Sequence, residues 1–202
     1  MTGDTPRSPD RLRRAFERFD EINAEDPRTE AVDGEERPKE LVYARRMSDT
    51  LSRLEPDASE ELRLATRAQH IARWRIPRSD FPEGRKGYKK WRVKLMFEHA
   101  EIAEAVLREV GYPEETVERV KTLIRKQGLK RDPEVQTLED VACLVFLEHY
   151  FDDFAEEHED EKLVDILEKT WRKMSERGHE AALGLDLSER ARQLVKRALK
   201  KS

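Results

Sequence analysis

Chemistry in this chain concentrates in a few polar residues set among apolar neighbours. Gln69 and His70 stand in RAQHIARW (67–74), beside Ala68, Ile71 and Ala72, which share a helix face expected to bury. His99 leads the helical stretch FEHAEIAEAVLREVGYP (97–113), with Ala103 and Val106 one and two turns later. Glu139 and Asp140 stand in TLEDVACLVFLE (137–148), at the head of a nearly unbroken apolar helix. A buried imidazole, amide or carboxylate must find a hydrogen-bond partner or a metal. Each residue also has a plain structural reading. His70 fits a hydrogen-bonded core histidine, Asp140 an acid favoured by a helix dipole, and Glu40 a routine first-turn carboxylate. The other histidines, His149, His158 and His179, need no functional role, and the last two are expected to be exposed.

Between the first two segments, residues 74–87 hold Pro77, Pro82, Gly84 and Gly87 and read as the longest irregular stretch in the middle of the chain. Irregular segments of this length inside a domain often carry function. Arg73, Arg78 and Arg92 in and beside it could hold an anion, because a guanidinium fork matches phosphate or carboxylate geometry. Trp74, Tyr88 and Trp91 could stack on a base or wall off water. A structural cover, with the aromatics on the core and the cations paired to surface acids, is the alternative.

Helices are required to position these groups. Ser8–Pro9 fits a helix start, followed by Leu12, Phe16, Phe19 and Ile22, and the acidic stretch 23–37 reads as a loop. Pro38 opens a second helix through Leu54, and Ser59 caps a third that runs to Ile71. Later helices are expected from about Tyr88 to Val110, from Pro113 to Gly128, from Leu138 to Phe154 after Pro133, from Leu163 to about Met174, and from Leu187 to Leu199. No segment keeps a period of two, so no strand is expected. The fold expected is all-α, with residues 1–8 disordered and 9–202 forming one helical domain.

Composition sets outer bounds. Charged residues make up 42% of the 202, far above the usual quarter or so. The 44 acids and 40 Lys and Arg nearly cancel, leaving a net charge of -4 and predicting solvated faces laced with i,i+4 pairs. That balance and the lack of a long basic stripe argue against nucleic acid as the main partner, leaving room for a local basic patch. Cys143, the single cysteine, reads as a small buried hydrophobe in a reducing compartment. The N-terminus lacks the apolar core of a signal peptide, and Val141–Leu147, the longest apolar run, is too short to span a bilayer. The expected location is cytoplasmic.

The order of segments resembles the HD superfamily of helical metal-dependent phosphohydrolases. Gln69-His70-Ile71-Ala72-Arg73 resembles its His-Asp-Ile-Gly-Lys segment. His99-Ala100-Glu101-Ile102-Ala103 with Gly111-Tyr112-Pro113-Glu114 resembles the third-histidine helix and its turn. Glu139-Asp140-Val141-Ala142-Cys143-Leu144 resembles the late-aspartate stretch, and Pro38–Val42 lies where the first-histidine helix belongs. The resemblance covers about residues 36–155, leaving 156–202 as a C-terminal helical extension, and is closest to a branch known only as a domain of unknown function. Gln69 and His70 stand where that family has His and Asp, and Glu40 stands where it has its first histidine.

The resemblance implies an HD-like helical bundle with N- and C-terminal extensions. It implies Glu40, His70, His99 and Asp140 as ligands of a divalent transition metal (Mn, Fe, Zn or Ni), since two imidazoles with two carboxylates suit those ions better than Mg or Ca. Gln69 would orient a ligand or water, and Lys126 would join it in catalysis. Arg73, Trp74, Arg78, Tyr88, Trp91 and Arg92 would bind an anionic small molecule. The activity implied is hydrolysis of a phosphorylated small molecule or nucleotide. The alternative is a degenerate scaffold that binds a nucleotide, RNA or protein without turnover; an iron oxygenase ranks last.

Overall fold

The computed structural model describes residues 8–200. The expected disordered terminus lies outside them except for Ser8, as do the side chains of Ser8 and Pro9 and with them the proposed cap. Helices dominate the rest, as expected: α1 (Ser8–Ala24), α2 (Lys39–Leu54), α3 (Glu60–Arg67), α4 (Gly84–Val110), α5 (Glu114–Ile124), α6 (Pro133–His149), α7 (Phe151–Glu156), α8 (Asp160–Lys173), α9 (Glu176–Leu183) and α10 (Glu189–Leu199). Two short strands, β1 (Thr29–Val32) and β2 (Glu35–Pro38), pair antiparallel between α1 and α2.

That hairpin corrects the reading of 23–37 as a loop. Its turn is Asp33-Gly34, with both residues at positive φ (53° and 81°). Such a turn matches the twist of two paired strands and favours Asp-Gly. Four-residue strands with mixed exposure show too little alternation to reveal themselves, but the Asp-Gly pair was legible.

The chain divides into two compact units. Among the described residues, the first comprises 8–49 and 57–127, and the second 50–56 and 128–200. In the first, α4 packs on α1 and α5, and α3 packs on both α1 and α5. Ala15, Phe19, Leu62, Leu64, Ala65, Leu107, Val117, Val120 and Leu123 are sealed from solvent or nearly so. Ser59 caps α3 as its type predicts, its hydroxyl accepting from the Leu62 amide at 3.1 Å. The helix stops at Arg67, so His70 lies in the turn that follows rather than in a helix.

The start of α4 also departs from expectation. The helix begins at Gly84, four residues before Tyr88, and runs through Gly87. A Cβ at Gly87 would lie 1.7 Å from the Pro82 carbonyl oxygen, so only glycine lets the preceding loop lie against the helix. Gly111, at φ 89°, ends α4 with its amide on the Leu107 and Arg108 carbonyls.

In the second unit, α6 starts at Pro133, with the Asp132 carboxylate accepting from the Glu134 and Val135 amides. Glu139 and Asp140 therefore sit about two turns inside α6, not at its head. Cys143, Leu144, Leu147, Phe151, Leu163, Leu167, Ala191 and Leu194 form its buried core. Cys143 is free and buried, as expected. The sequence pattern missed α9, a short helix capped by Ser175. His179 on α9 is not an exposed polar residue. It stacks on Trp171 at 4.2 Å and contacts the Trp171 carbonyl through Nε2 at 2.8 Å. No helix of the described residues is long and apolar enough to cross a membrane.

Candidate functional site

Glu40, His70 and His99 come together in the first unit. Glu40 lies in the first turn of α2 and is buried, with 4% of its surface exposed. The hairpin delivers it there. The fully buried Asp26 carboxylate accepts from the Arg28 amide (3.0 Å) and guanidinium (3.1 Å) and from the Glu40 amide (3.2 Å). Arg28 then reaches across to Glu40 Oε1 at 2.8 Å. Burial pushes Asp26 upward, but the hydrogen bonds and charge of Arg28 outweigh it and hold the carboxyl below its usual range. Glu40 shifts the other way. Burial raises it to about 7, against the pull of Arg73 and Arg28.

His70 stacks flat on Tyr43, one turn along α2 from Glu40, with ring centroids 4.0 Å apart. Its Nε2 lies 3.3 Å from the Arg73 guanidinium, which can only donate, so the neutral ring carries its proton on Nδ1. That nitrogen faces Glu40 Oε2 at 3.7 Å. Burial first, then the charges of Arg73, His99, Arg92 and Lys126, hold His70 well below the usual histidine range.

His99 is 2% exposed, and its ring centroid lies 5.9 Å from that of His70. Nδ1 lies 2.7 Å from the Ile71 carbonyl, which can only accept, so Nδ1 is the donor. The lone pair on Nε2 is buried and has no hydrogen-bond partner among the described residues. Burial, with Arg73 and Arg92 beside it, pulls His99 down to about 3. The turn between the imidazoles is fixed from outside, since the Ala72 amide donates to Asn23 Oδ1 at 3.0 Å and Ala72 holds a left-handed φ of 53°. Gln69 is also buried, and its Oε1 lacks a partner.

Cations surround these neutral rings. Arg73 lies over the Trp91 ring at 4.6 Å, and burial lowers its pKa. Neither Arg73 nor Arg92 makes an ion pair with a carboxylate among the described residues. Most other arginines do, including Arg18 with Glu109, Arg46 with Glu30 and Arg67 with Asp20. Trp91 donates from Nε1 to the Ile76 carbonyl at 2.9 Å, and Tyr88 lies 5.7 Å from its ring. Lys126, at φ 53° just beyond α5, adds positive potential at His70.

Other expected site residues are committed elsewhere. Arg78 donates to the Phe81 and Pro82 carbonyls (2.8 and 3.0 Å), bracing the loop before α4. Trp74 lies under Arg75 at 5.6 Å. Asp140 belongs to the second unit, where Oδ1 accepts from the Ser175 amide (2.8 Å) and Gln136 (3.0 Å), and Oδ2 from the Ser175 hydroxyl (2.5 Å).

The expected metal set is therefore not assembled. Asp140 spends both oxygens on its own unit, Arg28 holds one oxygen of Glu40, and a guanidinium faces His70 Nε2. Among the described residues no three His, Cys, Asp or Glu side chains are grouped to hold a metal. The added charge of Arg73, Arg92 and Lys126 opposes a cation and favours an anion. Sequence reasoning missed Asn23, Asp26, Arg28 and Tyr43. Only Tyr43, three residues from Glu40 on one helix face, left a readable signal.

The model of a family described as a domain of unknown function (DUF4202) matches residues 13–195, so the chain belongs to that family. No curated protein and no solved structure matches it.

Proposed function

For this member of the DUF4202 family, we propose that the cluster of Glu40, His70, Arg73, Arg92 and His99 binds a phosphate-bearing small molecule of the nucleotide class without a metal. One observation carries the reading: among the described residues Arg73 and Arg92 make no direct ion pair with a carboxylate, Arg73 having only a longer-range attraction to Glu40, and both stand beside two neutral imidazoles in a chain that pairs most of its arginines. A phosphate would supply the missing counter-charge. The unpartnered Nε2 of His99 and Oε1 of Gln69 accept hydrogen bonds, so a ligand that also carries hydroxyl or amino donors suits the site. The likeness to His-Asp-Ile-Gly-Lys gains support at one backbone position: Ala72, in the place of its glycine, holds the left-handed conformation glycine favours.

Hydrolysis of the bound phosphate is a second reading. It is favoured by the contact of Glu40, raised to about 7, with a neutral imidazole, a carboxyl suited to proton transfer near neutral pH. Calorimetry in EDTA with inorganic phosphate, AMP and ribose 5-phosphate tests binding. Saturable binding of at least one is expected, weakened tenfold or more by Arg73→Ala, which is about 1.4 kcal/mol. No saturable binding by the unaltered protein defeats the proposal. Phosphate release in the same samples decides between turnover and binding alone.

A further inference from the structure

The net charge of -4 hides a strong local excess. Residues 73–94 hold nine Lys and Arg against two acids, and 84–97 hold no acid at all. This region includes the first half of α4, where Gly87 alone is buried before Leu95. Arg85, Lys86, Lys89 and Lys90 are exposed, and none makes an ion pair among the described residues. The spacing adds direction. Arg85, Arg92 and His99 recur every seven residues, two turns apart, so they lie in one row along α4, with Tyr88 and Lys89 beside it. The row spans about 21 Å at 1.5 Å per residue. Its inner end is His99, with a buried, unpartnered Nε2, next to Arg73 and His70. Tyr88 along the row is 47% exposed, an available stacking surface for a base.

We propose that this face of α4 is a track for single-stranded nucleic acid, whose terminal phosphate enters the His70–His99–Arg73 cluster. The inference rests on the anion-binding reading of that cluster and extends it from a free nucleotide to the end of a strand. A row of cations tracks successive phosphates, while an exposed aromatic stacks on a base of any identity. A free nucleotide would need the inner cluster but not Arg85 or Lys89, which lie on the outer turns of the helix.

Fluorescence anisotropy on the full chain tests this. The probes are an oligouridylate octamer and an oligothymidylate octamer, each with a 5′ phosphate, a 3′ phosphate or hydroxyls at both ends. AMP is followed in parallel by calorimetry. One phosphorylated octamer is expected to bind at least tenfold tighter than AMP and than its hydroxyl-ended form. The double variant Arg85→Ala/Lys89→Ala, which alters exposed positions only, should weaken the octamer fivefold or more and leave AMP unchanged. It should also flatten the slope of log affinity against log salt by roughly 1.4, at roughly 0.7 per lost phosphate contact. Whichever sugar binds tighter identifies the strand as RNA or DNA. Octamers binding no better than AMP overturn the track while the cluster reading stands, and loss of AMP binding as well removes both. Octamer binding that ignores the double variant or the terminal phosphate also overturns the proposal. So does binding to phosphatidylserine vesicles that the octamer does not displace.

Discussion

Both units bury a carboxylate on a helix, and the two are handled in opposite ways. Asp140 on α6 has both oxygens satisfied by its own unit, through the Ser175 amide and hydroxyl and the Gln136 amide. The fit is close enough that a Cβ on Gly178 would come within 2.7 Å of the Asp140 carboxylate. Glu40 on α2 shares one cation with Asp26, faces a neutral imidazole at 3.7 Å, and lies in the same cluster as His99, whose buried Nε2 has no hydrogen-bond partner among the described residues. Closed hydrogen bonding identifies Asp140 as architecture, holding the start of α9 to α6. Open hydrogen bonding at His99 and Gln69 and an excess of positive charge in the Glu40 region support the ligand-binding reading proposed for it.

The sharpest way to break this contrast is to remove each carboxylate. Asp140→Ala strands the partly buried Ser175 amide and hydroxyl and leaves a hole at the buried Asp140 position, and should cost about 3 kcal/mol of stability. Denaturant unfolding measures it, and phosphate binding by the protein that remains folded should be unchanged. A loss below about 1 kcal/mol, or lost phosphate affinity in folded protein, would mean that Asp140 is not the structural member of the pair.

Glu40→Gln should act on binding and its pH dependence. Because burial raises Glu40 to about 7, it gains charge between about pH 6 and 8, beside Arg28, Arg73, Asp26 and His70. An anion should therefore bind less tightly as pH rises through that window, and Glu40→Gln should flatten the profile and bind tighter at pH 8. The stability sign follows from the same shift. A carboxyl raised on folding stabilises below its unfolded value of about 4.5, and that stability is lost as pH rises through about 7. His99, lowered to about 3, does the reverse, its contribution growing as pH rises from about 3 to 6.5. Calorimetric titrations at pH 6, 7 and 8 check the binding prediction, and a steep profile retained in Glu40→Gln would assign the titration to another group.

The smallest effect concerns the turn between the imidazoles. Ala72→Gly relieves a left-handed conformation that costs an alanine roughly 1 kcal/mol, offset in part by glycine's greater chain entropy. A gain of about 0.5 kcal/mol is expected by thermal unfolding. A loss instead would show that the Ala72 methyl, in a residue only 2% exposed, contributes more by packing than its backbone costs.

Much of the helical frame was legible because its signals are local. Ser59, Gly111 and Pro133 mark ends through capping, left-handed backbone and a missing amide, and the spacing of Leu62, Ala65 and Ala68 marks a buried face without reference to the rest of the chain. Gln69, His70 and His99 stood out because polar residues beside apolar stripes must be accommodated somehow. The Asp33-Gly34 hairpin was readable too, but its strands are too short for alternation to show it. Tertiary structure alone decided what each polar side chain meets. It turned Asp140 into a brace for α9, folded Asp26 and Arg28 back onto Glu40, and left Arg73 and Arg92 without a direct ion pair among the described residues. Those outcomes depend on contacts between residues distant in sequence, and no spacing rule encodes them. The sequence by itself determined which residues could do chemistry, and long-range packing decided which of them were left free to do it.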